Sequence, residues 1–359
     1  MWKLIYSYIF LLGFVVSTTL VNFSRHLAIH FKILDRPNLR RKIHDKSMPL
    51  LGGLGMYIAF FIIIIFHMSA VLLLEPDKLP PTISAHLSGL KTTLPQLITI
   101  FITSLILLGV GLLDDFRGLC AKSKLSIQFI LALCLFLAGI RISLFIDNTL
   151  INAILTIGWI IGITNAFNLL DNMDGLSCGS ALIASIIFFI VVSSSGQLFA
   201  ATILACFIGV LLGFLRYNFP PAKIFMGDAG SLFIGYILSI LTIISTYYTP
   251  RHLTPAPVIM PLIILAIPIF DTLSVIYIRA KKKVSIFTAD KNHLSHRLLA
   301  IGMSKRQAVL FIYLVNFGIG LGALLLSSLT GKGCLIVLLQ AVCILAIIVL
   351  LEKVKKCRD

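Results

Sequence analysis

Apolar runs long enough to cross a lipid bilayer recur eleven times along this 359-residue chain, and this repetition constrains the fold more than any other feature. They fall at about 3–23, 51–74, 96–113, 125–140, 150–168, 176–195, 198–215, 231–246, 256–279, 308–328 and 333–351. Backbone amides and carbonyls in hydrocarbon have no water to bond, so each run must satisfy its own as a helix. The sequence therefore predicts an all-α integral membrane protein of about eleven transmembrane helices, with 125–140 and 231–246 the shortest. A hydrophobic content of 58% against only 12% charged residues excludes an ordinary soluble domain.

The formal net charge of +16 raises the question of nucleic acid, but the thirty Lys and Arg residues punctuate the connections and cluster on no soluble module, so nucleic acid is excluded as a partner. They set the topology instead. With the N-terminus outside, 24 of the thirty fall in inner connections and the C-terminal tail, and six fall outside. Positive residues stay inside, which predicts a periplasmic N-terminus and a cytoplasmic C-terminus. Residues 1–23 lack an A-x-A cleavage site and are of spanning length, so they read as the first helix and not as a cleaved signal. The seven cysteines form no CxxC pair and imply neither disulfides nor zinc. No linker divides the chain, which reads as one domain over 1–359. No internal repeat is apparent, which weighs against a lipid-linked sugar transporter or flippase.

Threading the spans in this way puts Asp114, Asp115, Asp171, Asp174, Asp228, His293 and His296 on the cytoplasmic side. Ionisable groups at a membrane are costly and usually functional, so their convergence predicts an active site on that face. Asp114 and Asp115 close the third span; adjacent carboxylates there repel unless a cation or proton compensates, the alternative being two solvated loop aspartates. Asn165, Asn168 and Asn172 are spaced to share one helix face beside Asp171, followed by Asp174-Gly175. That stripe suits a cation or ligand site, or hydrogen bonding between helices with Asp174 in a capping turn. Asp228, in Met226-Gly227-Asp228-Ala229-Gly230-Ser231, reads either as a helix cap or as a Mg²⁺ ligand. Around Lys46, the basic first inner loop runs into Gly52-Gly53, where backbone N–H groups could approach a phosphate closely, or it anchors the chain by charge alone. His293 and His296 sit among cations with no third metal ligand nearby, so anion contact fits them better than zinc. Asp271, inside the ninth span, reads equally as a structural residue, in a buried hydrogen bond or a lysine pair, or as a functional one.

Read together, D-x-P-N-x-R-K-x-H…P-x-x-G-G, G-L-x-D-D, N-x-x-N-x-x-D-x-x-D-G-L, F-M-G-D-x-G-S and P-I-F-D-T…D-K-x-H-L-x-H-R-L, in order over about 34–302, resemble the polyprenyl-phosphate N-acetylhexosamine-1-phosphate transferases of glycosyltransferase family 4. They are most similar to the bacterial undecaprenyl-phosphate GlcNAc-1-phosphate transferases of O-antigen, enterobacterial-common-antigen and teichoic-acid synthesis. The phospho-MurNAc-pentapeptide transferases, the alternative within the superfamily, carry three consecutive histidines where this chain has His293-Leu294-Ser295-His296, and a Lys where it has Gly118. The GlcNAc branch more often reads H-L-H-H-R, so Ser295 departs from both.

The resemblance implies transfer of a sugar 1-phosphate from a UDP-N-acetylhexosamine, with GlcNAc the expected sugar, to undecaprenyl phosphate, with release of UMP. It implies Mg²⁺, for which Mn²⁺ could substitute, held by Asp228 and Asn168. Asp114 and Asp115 would orient the acceptor phosphate or take its proton, and Asp171, Asn172, Asp174, Lys46, His293, His296 and Arg297 would meet the nucleotide, diphosphate and sugar. The setting implied is the bacterial inner membrane, multi-pass, where the partners are the two substrates and the bilayer, and where a homodimer is compatible with the class.

Overall fold

The computed structural model describes residues 1–35, 47–74, 80–84, 86–248, 253–286, 290 and 292–354. Fourteen helices carry almost all of the described chain, in the order α1 (Trp2–His30), α2 (Gly52–Leu73), α3 (Pro81–Ser84), α4 (Leu87–Arg117), α5 (Ala121–Leu137), α6 (Thr149–Leu170), α7 (Leu176–Ser194), α8 (Leu198–Asn218), α9 (Gly227–Ile244), α10 (Met260–Ile264), α11 (Ala266–Lys281), α12 (Leu294–Ala300), α13 (Lys305–Leu325) and α14 (Gly331–Val354). Between α1 and α2, β1 (Leu34–Asp35) pairs antiparallel with β2 (Met48–Pro49). Among the described residues, nine helices are long and apolar enough to cross a membrane, or ten if α10 and α11 with the turn before them form one bent span.

Each apolar run expected to span falls on a helix, but two depart from a plain crossing. The ninth is bent by 66° at Leu265. Pro268 explains the break, because it lacks the N–H that would bond the Ile264 carbonyl and its ring crowds that oxygen. The fourth, α5, has 17 residues and falls short of the others. A further difference is that the outer connection expected over 75–95 becomes helical from Leu87, so that α4 runs through Pro95.

Lipid tails are as apolar as leucine, so these helices are held together by close packing, not by the hydrophobic effect between them. α1 lies along α8 at glycine-sized spacing: a Cβ on Gly13 would come within 2.8 Å of the Cys206 carbonyl oxygen, and one on Gly213 within 2.8 Å of that of Phe14. Ser17 Oγ closes the same seam by donating to the Val210 carbonyl at 2.8 Å. α9 is buried along most of its length, packed on α2, α4 and α6. Its one charged side chain lies at the N-terminal end. Asp228 stands on its first turn, so the centre of the molecule ends in a carboxylate.

Candidate active site

Asp114 and Asp115 stand on the last turn of α4, where neighbouring side chains diverge by about 100°. They therefore meet different partners. Asp115 turns to α9 and accepts the backbone N–H groups of Asp228 at 2.7 Å and Ala229 at 3.3 Å. Those are donors that a helix start leaves without intrahelical partners, so Asp115 caps α9 from a different helix. Gly227 makes room for it: its φ of +69° is glycine-favouring, and a Cβ there would lie within 2.9 Å of the Asp115 Cγ. Asp115 is thus committed to building the site, whereas the sequence groups it with Asp114 at the acceptor.

Asp114 accepts the Leu119 N–H at 2.6 Å and pairs with the Lys124 ammonium from the first turn of α5. Lys124 also reaches Asp228 Oδ2 at 3.4 Å, so one cation bridges two carboxylates. Asp228 Oδ1 accepts Asn168 Nδ2 at 2.7 Å, and the same amide donates to Ser231 Oγ at 2.9 Å. Side-chain exposure separates the two acids: Asp114 is 6% exposed and bonded on both oxygens, and Asp228 is 35% exposed. Asp228 is the carboxylate that an incoming cation or phosphate-bound metal can reach.

The asparagine stripe does not share one partner. Asn165 donates to Gln128 of α5 at 2.5 Å and Asn168 meets Asp228, while α6 ends at Leu170 and places Asn172 beyond the helix. There Asn172 donates to the Leu169 carbonyl at 2.8 Å and accepts the Ser295 hydroxyl of α12. Ser295, the departure from the family pattern, is therefore the residue that ties α12 to the end of α6. Asp171, just past α6 and half-buried, has its pKa pushed well above the usual carboxylate range, first by burial and then by the charges of Asp228, Asp115 and Asp174. Asp174 accepts the Ala222 N–H at 3.0 Å and so pins the α8–α9 connection.

α12 repeats the device used at α9. Asp271 of α11 accepts the Leu294 N–H at 2.6 Å and His293 Nδ1 at 2.9 Å. The carboxylate thus ties the His293 ring and the first turn of α12 to α11. The two rings of His293 and His296 lie 6.4 Å apart. Arg297 points elsewhere: it donates to Ser274 Oγ at 2.9 Å and pairs with Glu352 of α14 at 2.9 Å. The expectation that it grips a diphosphate is revised accordingly, since the guanidinium joins α12 to α11 and α14. Burial would raise the pKa of Asp290, but the hydrogen bond from Arg279 and those from Asn292 hold it below the usual range.

Two expectations about the first inner loop resolve differently. Gly52 and Gly53 donate their N–H groups to the carbonyls of Phe225 and Met226, both at 3.0 Å, so those amides join the loop to the α8–α9 connection and not to an anion. Lys46 lies outside the described residues. Lys124 and Ser231 were not singled out from the sequence, because nothing in the spacing predicts that the chain reverses at Gly118 and returns a lysine to Asp114. Among the described residues, no three His, Cys, Asp or Glu side chains are grouped to hold a metal ion by themselves.

The fold and the site define an all-α polytopic membrane protein with carboxylates and a lysine converging at one end of its helices. More narrowly, the chain belongs to glycosyl transferase family 4, whose family model matches residues 97–246, across α4 to α9. It is 36% identical over 328 residues to the probable undecaprenyl-phosphate N-acetylglucosaminyl 1-phosphate transferase of Bacillus subtilis, covering 89% of this chain and 84% of that one. It is 33% identical to the decaprenyl-phosphate N-acetylglucosaminephosphotransferase of Mycolicibacterium smegmatis, over 81% of this chain and 74% of the relative. The undecaprenyl-phosphate alpha-N-acetylglucosaminyl 1-phosphate transferase of Escherichia coli K12 is 26% identical over 84% and 78% of the two chains.

Proposed function

We propose that this protein transfers N-acetylglucosamine 1-phosphate from UDP-GlcNAc to a polyprenyl phosphate, undecaprenyl phosphate in the bacterial plasma membrane, releasing UMP. A phosphate oxygen of the lipid attacks the sugar-bearing β-phosphorus, the bond from that phosphorus to the bridging oxygen breaks, and UMP leaves with the electron pair. One phosphoanhydride replaces another, so the step is close to thermoneutral, and catalysis reduces to positioning and neutralising charge. The relatives' names support the reaction, and the observation that carries it is the Lys124 ammonium bridging Asp114 and Asp228. A site that already balances two carboxylates with one cation suits substrates that bring several phosphate charges.

The oxygen donors at Asp228 and Asn168 suit Mg²⁺, which takes one or two carboxylates and completes its shell with water and substrate phosphates, and Mn²⁺ accepts the same donors. When bound, the ion would neutralise phosphate charge as it shifts toward the leaving oxygen. Asp114 holds Lys124 beside the acceptor phosphate. A phosphate monoester with second pKa near 6 is mostly dianionic at neutral pH, so a general base contributes little. Asp171, Asp174, Asn172, His293 and His296 frame the donor side, with the His293 ring held by Asp271. The relatives named for GlcNAc 1-phosphate transfer, and the absence of three consecutive histidines in His293-Leu294-Ser295-His296, favour GlcNAc over a MurNAc-pentapeptide donor. Purified protein should release UMP from UDP-GlcNAc in the presence of Mg²⁺, and Asp228→Asn or EDTA should remove that activity while the protein stays folded. Undiminished turnover under either condition would overturn the metal assignment.

The reading extends to eleven crossings, with the N-terminus outside and the site cytoplasmic as the distribution of Lys and Arg favours, and contacts between helix ends support α5 as one of the crossings. Asp114 ends α4, and Asn168 ends α6; both lie within one bond of Asp228 or of the lysine it binds, so α4 and α6 run in the same direction. The chain must cross back between them, and α5 is the helix between. At about 1.5 Å per residue it measures about 26 Å, near the hydrocarbon thickness.

A further inference from the structure

The last helix, α14, is the least buried of the nine long apolar helices, yet it ends in a carboxylate that reaches the interior. Glu352 Oε2 lies 2.9 Å from Arg297 NH1, and the two side chains are only 12% and 17% exposed. On its other side Arg297 NH2 donates to Ser274 and stands 4.0 Å from Asp271 Oδ1, the oxygen that holds the Leu294 N–H. Asp271 is 1% exposed. One guanidinium therefore lies between two buried acids, bonded to one and just short of the other, where water screens little of the attraction. A carboxylate oxygen drawn into a charge-assisted bond with Arg297 would be a weaker partner for Leu294 and His293.

We propose that Glu352 is a positioning residue: by engaging Arg297 it keeps the guanidinium off Asp271, leaving both Asp271 oxygens to hold the N-terminus of α12 and His293. The seven residues of α12 are too few to sustain a helix by themselves, so its orientation depends on such ties. The proposal rests on the reading that His293 faces the donor. It predicts an asymmetry that a simple stabilising ion pair would not show. Removing Glu352 frees Arg297 to close the remaining distance to Asp271, whereas removing both leaves Asp271 undisturbed.

The test uses the full chain in nanodiscs, comparing Glu352→Ala, Glu352→Ala with Arg297→Met, and His293→Ala. Hydrogen exchange of the peptide covering 294–300 and steady-state UMP release are the readouts. In Glu352→Ala the α12 amides should exchange about tenfold faster, and the KM for UDP-GlcNAc should rise about tenfold, the scale of one charge-assisted hydrogen bond. The KM for undecaprenyl phosphate should stay within about twofold. The double variant should return both readouts toward wild type. Wild-type exchange in Glu352→Ala, or a double variant as impaired as the single one, overturns the proposal. If Glu352→Ala does not insert, Glu352→Gln removes the charge with little change in volume and is held to the same outcomes. An unchanged UDP-GlcNAc KM in His293→Ala defeats only the donor reading, because the exchange data still decide the role of Glu352.

Discussion

The Asp115 carboxylate accepts the backbone N–H of Asp228 at 2.7 Å, so one member of the adjacent acid pair builds the helix start that carries Asp228, a carboxylate more exposed than Asp114. Asp114 and Asp115 are neighbours in sequence and do different work, because a helix turns successive side chains apart. The division predicts unlike phenotypes. Asp115→Asn replaces one accepting oxygen with an NH₂ facing a backbone donor and should cost about 1–2 kcal/mol, the scale of a lost helix cap, seen as a lower melting temperature. Asp114→Asn gives up the Lys124 pair, so it should melt lower as well, and it alone should depress kcat beyond what its loss of stability explains. Equal melting temperatures with equal loss of kcat would show that the pair acts as one unit.

Lys124 balances Asp114 and Asp228. Lys124→Met leaves two carboxylates facing each other without a cation, so the variant should be less stable than wild type and lose turnover by about a hundredfold or more, as when one charged group is removed from a preorganised site. Added Mg²⁺ should narrow the gap in melting temperature, since a second cation can take up the charge. A gap unaffected by Mg²⁺ would mean that Lys124 supports the fold by packing alone.

The pH dependence of stability should trace Asp171. Its folded pKa is raised, first by burial and then by neighbouring acids, so ionising it disfavours the folded state. Stability from this group is fullest below the ordinary carboxylate pKa and falls as pH rises from there toward the raised folded value. Asp171→Asn removes that slope. The variant should melt higher than wild type at neutral pH, converge with it in acid, and lose activity, the expected trade at a functional site. Melting curves between pH 4 and pH 8 decide it, and a variant that melts lower at pH 8 contradicts the sign.

Donor choice should separate the two branches of the superfamily. With Leu294 breaking the run of three histidines that marks the pentapeptide branch, and with relatives named for GlcNAc 1-phosphate transfer, UDP-GlcNAc should support turnover and UDP-MurNAc-pentapeptide should not. Robust release of UMP from the pentapeptide donor would reverse the branch.

Much of this was legible in the sequence, and the rest was hidden for physical reasons. Periodicity and length placed a helix under every apolar run, because hydrocarbon allows the backbone no other way to satisfy its polar groups. The motifs brought Asn168 and Asp228 to the same place, where they bond at 2.7 Å. Partner choice was not legible. Asn165, Asn168 and Asn172 share a spacing but meet α5, α9 and α12, because α6 ends at Leu170 before the stripe is complete. The Gly52 and Gly53 amides, free to meet a phosphate as far as sequence goes, are occupied by the α8–α9 connection. Arg297 carries the residue type of an anion clamp, yet its partner Glu352 lies 55 positions away on the last helix, beyond the reach of local pattern.

The nucleotide product tests the central claim most directly. Purified full-length protein, given UDP-GlcNAc, undecaprenyl phosphate and Mg²⁺, should yield UMP and a lipid diphosphate carrying GlcNAc in equal amounts, with the phosphorus of the donor's β-phosphate recovered in the lipid. Release of UDP with sugar transferred alone, or no nucleotide release from folded protein, would contradict the account.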